Sequence, residues 1–103
     1  VLEASVEKRL KQRLEKYGFK VLKLTTPGAS GTPDRMILRP VLFPGPPWFV
    51  ECKRPGKTER RLQELVRDEW RARGLLVLDV CDSYERVETI VFELTQALKV
   101  TIK

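Results

Sequence analysis

Pro33-Asp34-Arg35-Met36-Ile37-Leu38-Arg39 and Trp48-Phe49-Val50-Glu51-Cys52-Lys53 decide how this chain is read. Each is a short apolar run with charge at its end, and each suits an extended strand. Side chains two apart on a strand share a face, so Glu51 and Lys53 point one way while Val50 and Cys52 point the other. Asp34, at the mouth of the neighbouring strand, could bring a second carboxylate to the same spot. Two carboxylates beside a lysine suit a hard, oxygen-preferring cation such as Mg²⁺. The plainer alternative is a hairpin with a surface Glu51 and Lys53 pair and a turn-forming Pro33-Asp34, since exposed ion pairs are common and worth little.

The chain has 103 residues, the size of one domain, and residues 1–103 are read as a single unit. Twenty Lys and Arg against fourteen Asp and Glu leave a formal charge of +6, which favours polyanionic partners, nucleic acid before an acidic membrane surface. No apolar run approaches the roughly 20 residues of a membrane span. Glu3, Glu7 and several basic residues interrupt the apolar core that a signal peptide would need, so a cytoplasmic, unsecreted protein is expected. Cys52 and Cys81 lack metal-ligand spacing and read as buried thiols. With no histidine, triad chemistry is excluded, and base catalysis falls to carboxylates, lysine or water activated by a metal.

Outward from the central strands, Val6, Leu10, Leu14 and Tyr17 recur at helical spacing ahead of Gly18, predicting a helix over residues 3–17. Its other face is basic, with Lys8, Arg9, Lys11, Arg13 and Lys16. Glu3 falls within the apolar stripe and Glu7 at its edge, either to serve something inside or to complement the helix dipole. A strand follows over residues 19–24, with Val21 and Lys23 on one face, then a Pro-Gly and Ser-Gly loop over 25–32 that contains Ser30. The connection over 40–47 holds four prolines, which forbid regular pairing, and an apolar tip of Val41, Leu42 and Phe43 that either folds back or meets a partner.

After Lys53 comes a basic run with Arg54, Lys57, Arg60 and Arg61, leading into a helix over 58–73 with Leu62, Leu65, Val66 and Trp70 as its buried stripe and Gln63 at the margin. Exposed charge is the commoner fate of any one such arginine, yet a helix start flanked by several of them suits phosphate. Residues 75–80 read as a strand covered on both faces, and Asp82 with Glu85 resembles a capping box opening a last helix along Tyr84, Val87, Val91, Leu94 and Leu98. Phe92 lies off that stripe. The order helix, three strands, helix, strand, helix predicts an α/β fold, a mixed β-sheet flanked by helices (αβββαβα).

Asp34 followed by Glu51-x-Lys53, after a first helix carrying Glu3 and Glu7, resembles the PD-(D/E)xK nuclease pattern. More narrowly, Glu3-Ala4-Ser5-Val6-Glu7, Gly18-Phe19, Gly31-Thr32-Pro33-Asp34-Arg35, Phe49-Val50-Glu51-Cys52-Lys53, Pro55-Gly56 and Gln63 resemble the VRR-NUC (virus-type replication-repair nuclease) family, in its stand-alone phage or bacterial form. The likeness runs over about residues 3–80. It implies a restriction-endonuclease-like fold, a divalent cofactor, Mg²⁺ or Mn²⁺, and hydrolysis of DNA phosphodiesters. Stand-alone members are similar to homodimeric Holliday-junction resolvases, so a homodimer on branched DNA is implied, with flapped or forked DNA as the alternative.

On this resemblance Asp34, Glu51 and the backbone carbonyl of Cys52 hold the metal, Lys53 stabilises charge or orients water, and Glu3 or Glu7 supplies the helix acid. Gln63 hydrogen-bonds within the site, while Lys23, Ser30, Arg35, Arg54, Lys57, Arg60 and Arg61 are candidates for DNA contact. The chain departs from the family in its long proline-rich connection over 40–47. A catalytically silent basic DNA-binding module and a sequence-specific endonuclease are the competing classes, the second disfavoured by a chain with few residues to spare for reading bases.

Overall fold

The computed structural model describes residues 2–54 and 60–102, with side chains to Leu98. In chain order the elements are α1 (Glu3–Glu15), β1 (Lys20–Lys23), β2 (Arg35–Leu38), β3 (Trp48–Val50), α2 (Arg61–Ala72), β4 (Leu76–Val77) and α3 (Tyr84–Ile102). The expected order holds, and the strands form one sheet in the sequence β1-β2-β3-β4. β2 pairs antiparallel with both β1 and β3, and β4 lies parallel to β3 after the excursion through α2. The sheet is therefore mixed and the fold α/β.

α1 and α3 cover one face. Val6, Leu10 and Leu14 from α1 meet Val87, Ile90, Leu94 and Leu98 from α3 over Val21, Ile37 and Val50. All are buried because their spacing of three and four residues keeps each apolar stripe on one side of its helix. Gly18, at φ +91°, ends α1 in the left-handed region, and the Phe19 amide reaches back to the Leu14 carbonyl at 3.3 Å. Phe19 then meets Trp48 edge to face at 6.1 Å, locking the start of β1 onto β3.

The other face is covered by α2, chiefly through Trp70 against Phe49 at 5.1 Å. Here the structure departs from expectation. No residue of α2 is fully buried, and Leu62 and Leu65 remain 49% and 47% exposed. The apolar stripe is present, but β4 is two residues long and offers it little surface. Leu75, expected inside a covered strand, is likewise exposed, as are Tyr17 and Tyr84 at the ends of their stripes. The last helix is capped by Ser83, whose Oγ accepts from the Arg86 amide at 3.0 Å, rather than by Asp82. In the proline-rich connection Phe43 folds back against the core, while Val41 and Leu42 stand in solvent. Among the described residues no helix is long and apolar enough to cross a membrane.

Candidate active site

β2 and β3 pair with Arg35 opposite Val50 and Met36 opposite Phe49. Continuing that register by one step, just past the ends of β2 and β3, puts Asp34 opposite Glu51. Side chains directly opposite on an antiparallel pair share a face with their Cβ atoms about 5 Å apart. The backbone around them is held firmly. The Asp34 carbonyl accepts from the Leu24 amide and from Arg35 Nη1, both at 2.8 Å, while Glu51 O and Lys53 N bond Cys81 at 2.8 and 2.9 Å. Asp34 Oδ1 accepts from the Cys52 amide at 3.0 Å. In an extended chain the N–H and C=O of one residue point to the same neighbour, so the Cys52 carbonyl also faces the Asp34 side.

The electrostatics of the pair are unfavourable by construction. Burial, then the facing Asp34, pushes the Glu51 carboxyl up to about 7. Asp34 is raised too, first by burial and then by Glu7 and Glu3, against the lowering effect of the Cys52 N–H and Arg35. Lys53 Nζ lies 3.9 Å from Glu51 Oε2, with the lysine 7% exposed. Gln63 Nε2 donates to Glu51 Oε2 at 3.3 Å, and its own Oε1 accepts from the Arg60 amide at 3.0 Å, which fixes the amide's orientation and ties the start of α2 to the site.

The two helix acids separate. Glu7 is ion-paired to Arg35 Nη2, and Arg35 Nη1 also lies 3.3 Å from Asp34 Oδ2. Arg35, expected among the DNA contacts, is instead buried and spent on these carboxylates. Glu3 is exposed and lines an open cleft of about 410 Å³ together with Lys53 and Arg54. Lys23 is exposed at the end of β1, and Arg60 and Arg61 are exposed at the start of α2, with Arg61 bonded to Glu64 at 3.0 Å. Ser30 lies exposed in its loop, outside the hydrogen-bonded cluster. Lys57 is outside the described residues.

Sequence reasoning missed Arg67, which shares a small recess with Glu51 and Gln63; its spacing of four from Gln63 on one helix face was the available signal. It also missed that Cys52 and Cys81, both buried as expected, pair across an isolated parallel bridge beyond the ends of β3 and β4.

Among the described residues no cluster of three or more Asp, Glu, His or Cys side chains forms a cage for an ion. A cation with Mg²⁺-like chemistry needs none, since it keeps several waters and takes one or two carboxylates. The donor set fits: two carboxylates raised by burial and by neighbouring acids, Asp34 beside Glu51 and Glu7 and Glu3 beside Asp34, with the Cys52 carbonyl on the Asp34 side.

An α/β sheet that sets Asp34 against Glu51-x-Lys53 defines a restriction-endonuclease-like protein of the PD-(D/E)xK type. No family model matches the chain. A solved structure described as a VRR_NUC domain superposes with a TM-score of 0.73 at 33% identity, over 86% of this chain and 92% of that one. "Putative nuclease p44" of Acyrthosiphon pisum secondary endosymbiont phage 1 is 37% identical over 84 residues, 80% of this chain and 87% of the relative. The chain belongs to the VRR-NUC family and is a nuclease of that type.

Proposed function

We propose that the chain is a metal-dependent DNA endonuclease selective for branched substrates, first of all the Holliday junction, and that it acts as a homodimer. The observation that carries the catalytic reading is the register placing Asp34 opposite Glu51, with Lys53 and Gln63 both on the Glu51 carboxylate. Asp34, Glu51 and the Cys52 carbonyl would hold Mg²⁺ or Mn²⁺. Once bound, such an ion polarises the scissile phosphate and makes water a better nucleophile at neutral pH.

The protein's own groups do the rest. Lys53, largely withdrawn from water at the wall of the Glu3 and Arg54 cleft, places a fixed positive charge where negative charge grows on the phosphate. Gln63 holds Glu51 in a single orientation. Glu3, with no ion pair among the described residues, is the helix acid available to the outer shell, because Glu7 is committed to Arg35. Arg54, Arg60, Arg61 and Lys23 hold flanking phosphates, contacts that position a strand without reading its sequence.

The dimer follows from the substrate. One small site reaches one strand, and resolving a four-way junction takes two symmetric cuts. Val41 and Leu42, 94% and 84% exposed, are the apolar groups most available to a second copy or to unstacked bases.

The test is incubation with Mg²⁺ or Mn²⁺ and a panel of linear, flapped, forked and four-way DNAs. Paired symmetric cuts in the junction support the reading, and faster cutting of flaps or forks assigns the alternative substrate. Asp34→Ala and Lys53→Ala should lose cleavage and keep DNA binding; cleavage surviving Asp34→Ala would falsify the site. A monomer in sedimentation, even with junction DNA bound, would remove the dimer.

A further inference from the structure

A second cleft, of about 330 Å³, opens between α1 and β1, lined by Lys8 and Lys11 from the helix and Lys23 from the strand over a floor that includes Ala4 and Val21. Its one carboxylate, Glu7, is already paired with Arg35. Among the described residues the ammonium groups of Lys8, Lys11 and Lys23 make no ion pair or hydrogen bond, so three positive charges line one concavity without a partner of their own. The basic residues next to them on α1 are employed otherwise. Arg9 lies over the Tyr84 ring at 4.2 Å, and Arg13 grips Glu88 of α3 at 2.8 Å. The helix thus uses its arginines to hold α3 and leaves its lysines to the cleft.

The cleft also adjoins the candidate catalytic pair. Lys23 is the cross-strand partner of Arg35, and Arg35 is the chain neighbour of Asp34. A strand running from the Asp34 and Glu51 pair toward the α1 side would follow a path past Arg35, which lines this cleft together with the three lysines. The arginines at the start of α2 stand across the site from this path, on the helix that covers the opposite face of the sheet.

We propose that the cleft walled by Lys8, Lys11 and Lys23 is a phosphate-binding subsite that holds the nucleic-acid backbone beyond the scissile bond on the α1 side. Lysine ammoniums are strongly hydrated point charges on flexible stems, suited to phosphates whose exact position varies from step to step. The apolar floor suits the faces of deoxyribose between them. The inference rests on the nuclease reading for the identity of the polyanion.

The test is equilibrium binding of labelled duplex DNA, and of its single strand, to the full chain in EDTA across roughly 50 to 200 mM salt. The triple variant Lys8→Ala/Lys11→Ala/Lys23→Ala should lower the steepness of log K against log salt by about 1 per lysine engaged. The Lys→Arg triple variant should restore it. Lys16→Ala/Lys20→Ala, which removes charge outside the cleft, should leave most of the slope in place. Circular dichroism and melting confirm that each variant is folded, which is expected of exposed positions.

An unchanged slope in the triple alanine variant overturns the subsite, and so does an equal loss in the Lys16/Lys20 control, since bulk charge would then explain the binding. If the wild type binds with a lysine-dependent slope yet cuts no DNA in Mg²⁺ or Mn²⁺, the subsite stands and the nuclease reading fails. If it cuts DNA while the triple variant keeps both slope and KM, the reverse holds.

Discussion

A carboxylate partly withdrawn from water and faced by a second carboxylate is held at a cost, and Glu51 meets both conditions. Its pKa, raised from 4.5 to about 7, means that the fold favours the protonated form. That contribution is fully present below the ordinary value, shrinks as pH climbs through the interval, and is lost above about 7; Asp34, also raised, adds in the same direction. The metal-free protein should therefore melt at a lower temperature at pH 8 than at pH 5, and Glu51→Gln should flatten the dependence. Melting curves in EDTA check this, and a wild-type Tm that rises over the same range would count against it. Arg35 presents the opposite case, a buried cation satisfied by Glu7 and Asp34. Removing it strands two carboxylates, so Arg35→Met should cost about 2–4 kcal/mol and Glu7→Gln/Arg35→Met should recover part of the loss, read by urea unfolding. Little of this was legible in the sequence. Alternation along two strands put Glu51 and Lys53 on one face and brought Asp34 to the mouth of the next. It could not show that Arg35 turns inward, because a charge at a strand end reads the same whether its partner is solvent, phosphate or a helix carboxylate two elements away.

At the scale of elements, the three helices show how far periodicity reaches. The stripes of α1 and α3 predicted helices that bury Val6, Leu10, Leu14, Val87, Val91, Leu94 and Leu98, and all seven are buried. The stripe of α2 is as regular, yet Leu62 and Leu65 remain half exposed. A pattern reports that one face is apolar, and the area of its partner depends on strand length, which here is set by a two-residue β4. Leu10→Ala should accordingly cost about 2–5 kcal/mol, whereas Leu65→Ala should stay within about 1 kcal/mol. Equal losses in denaturant unfolding would mean that α2 is covered in solution. The start of α3 misled by one position because Asp82 and Ser83 are both good caps. The hydroxyl of Ser83 makes the bond, so Ser83→Ala should destabilise by about 1 kcal/mol and Asp82→Ala by less. Gly31 was read as a turn former and as the start of one stretch that resembles the family, with no packing role. At φ +79°, with Leu62 about 3.0 Å from where a Cβ would stand, it is also where the loop before Asp34 is pressed onto α2, beside the Gln63 that holds Glu51.

For the whole molecule, a net charge of +6 draws a polyanion while the centre of the site, Asp34 and Glu51, repels it. A divalent cation at the proposed site would reconcile the two by neutralising the carboxylates against which a phosphate would lie. Ion and DNA should then bind cooperatively, and the coupling must be reciprocal: whatever factor the ion contributes to DNA affinity, DNA contributes to ion affinity. In Ca²⁺, used as a hard cation without Mg²⁺ or Mn²⁺, the wild type should bind a short duplex at least about tenfold more tightly than in EDTA at matched ionic strength, a coupling of about 1.4 kcal/mol. Asp34→Asn/Glu51→Gln should bind the same duplex in EDTA more tightly than the wild type, having shed the repulsion, and should gain nothing further from Ca²⁺. Titration calorimetry of Ca²⁺ into free and DNA-bound protein closes the cycle. A Ca²⁺ effect of equal size in the double variant would assign the cation to screening along the DNA and take it away from this pair of carboxylates.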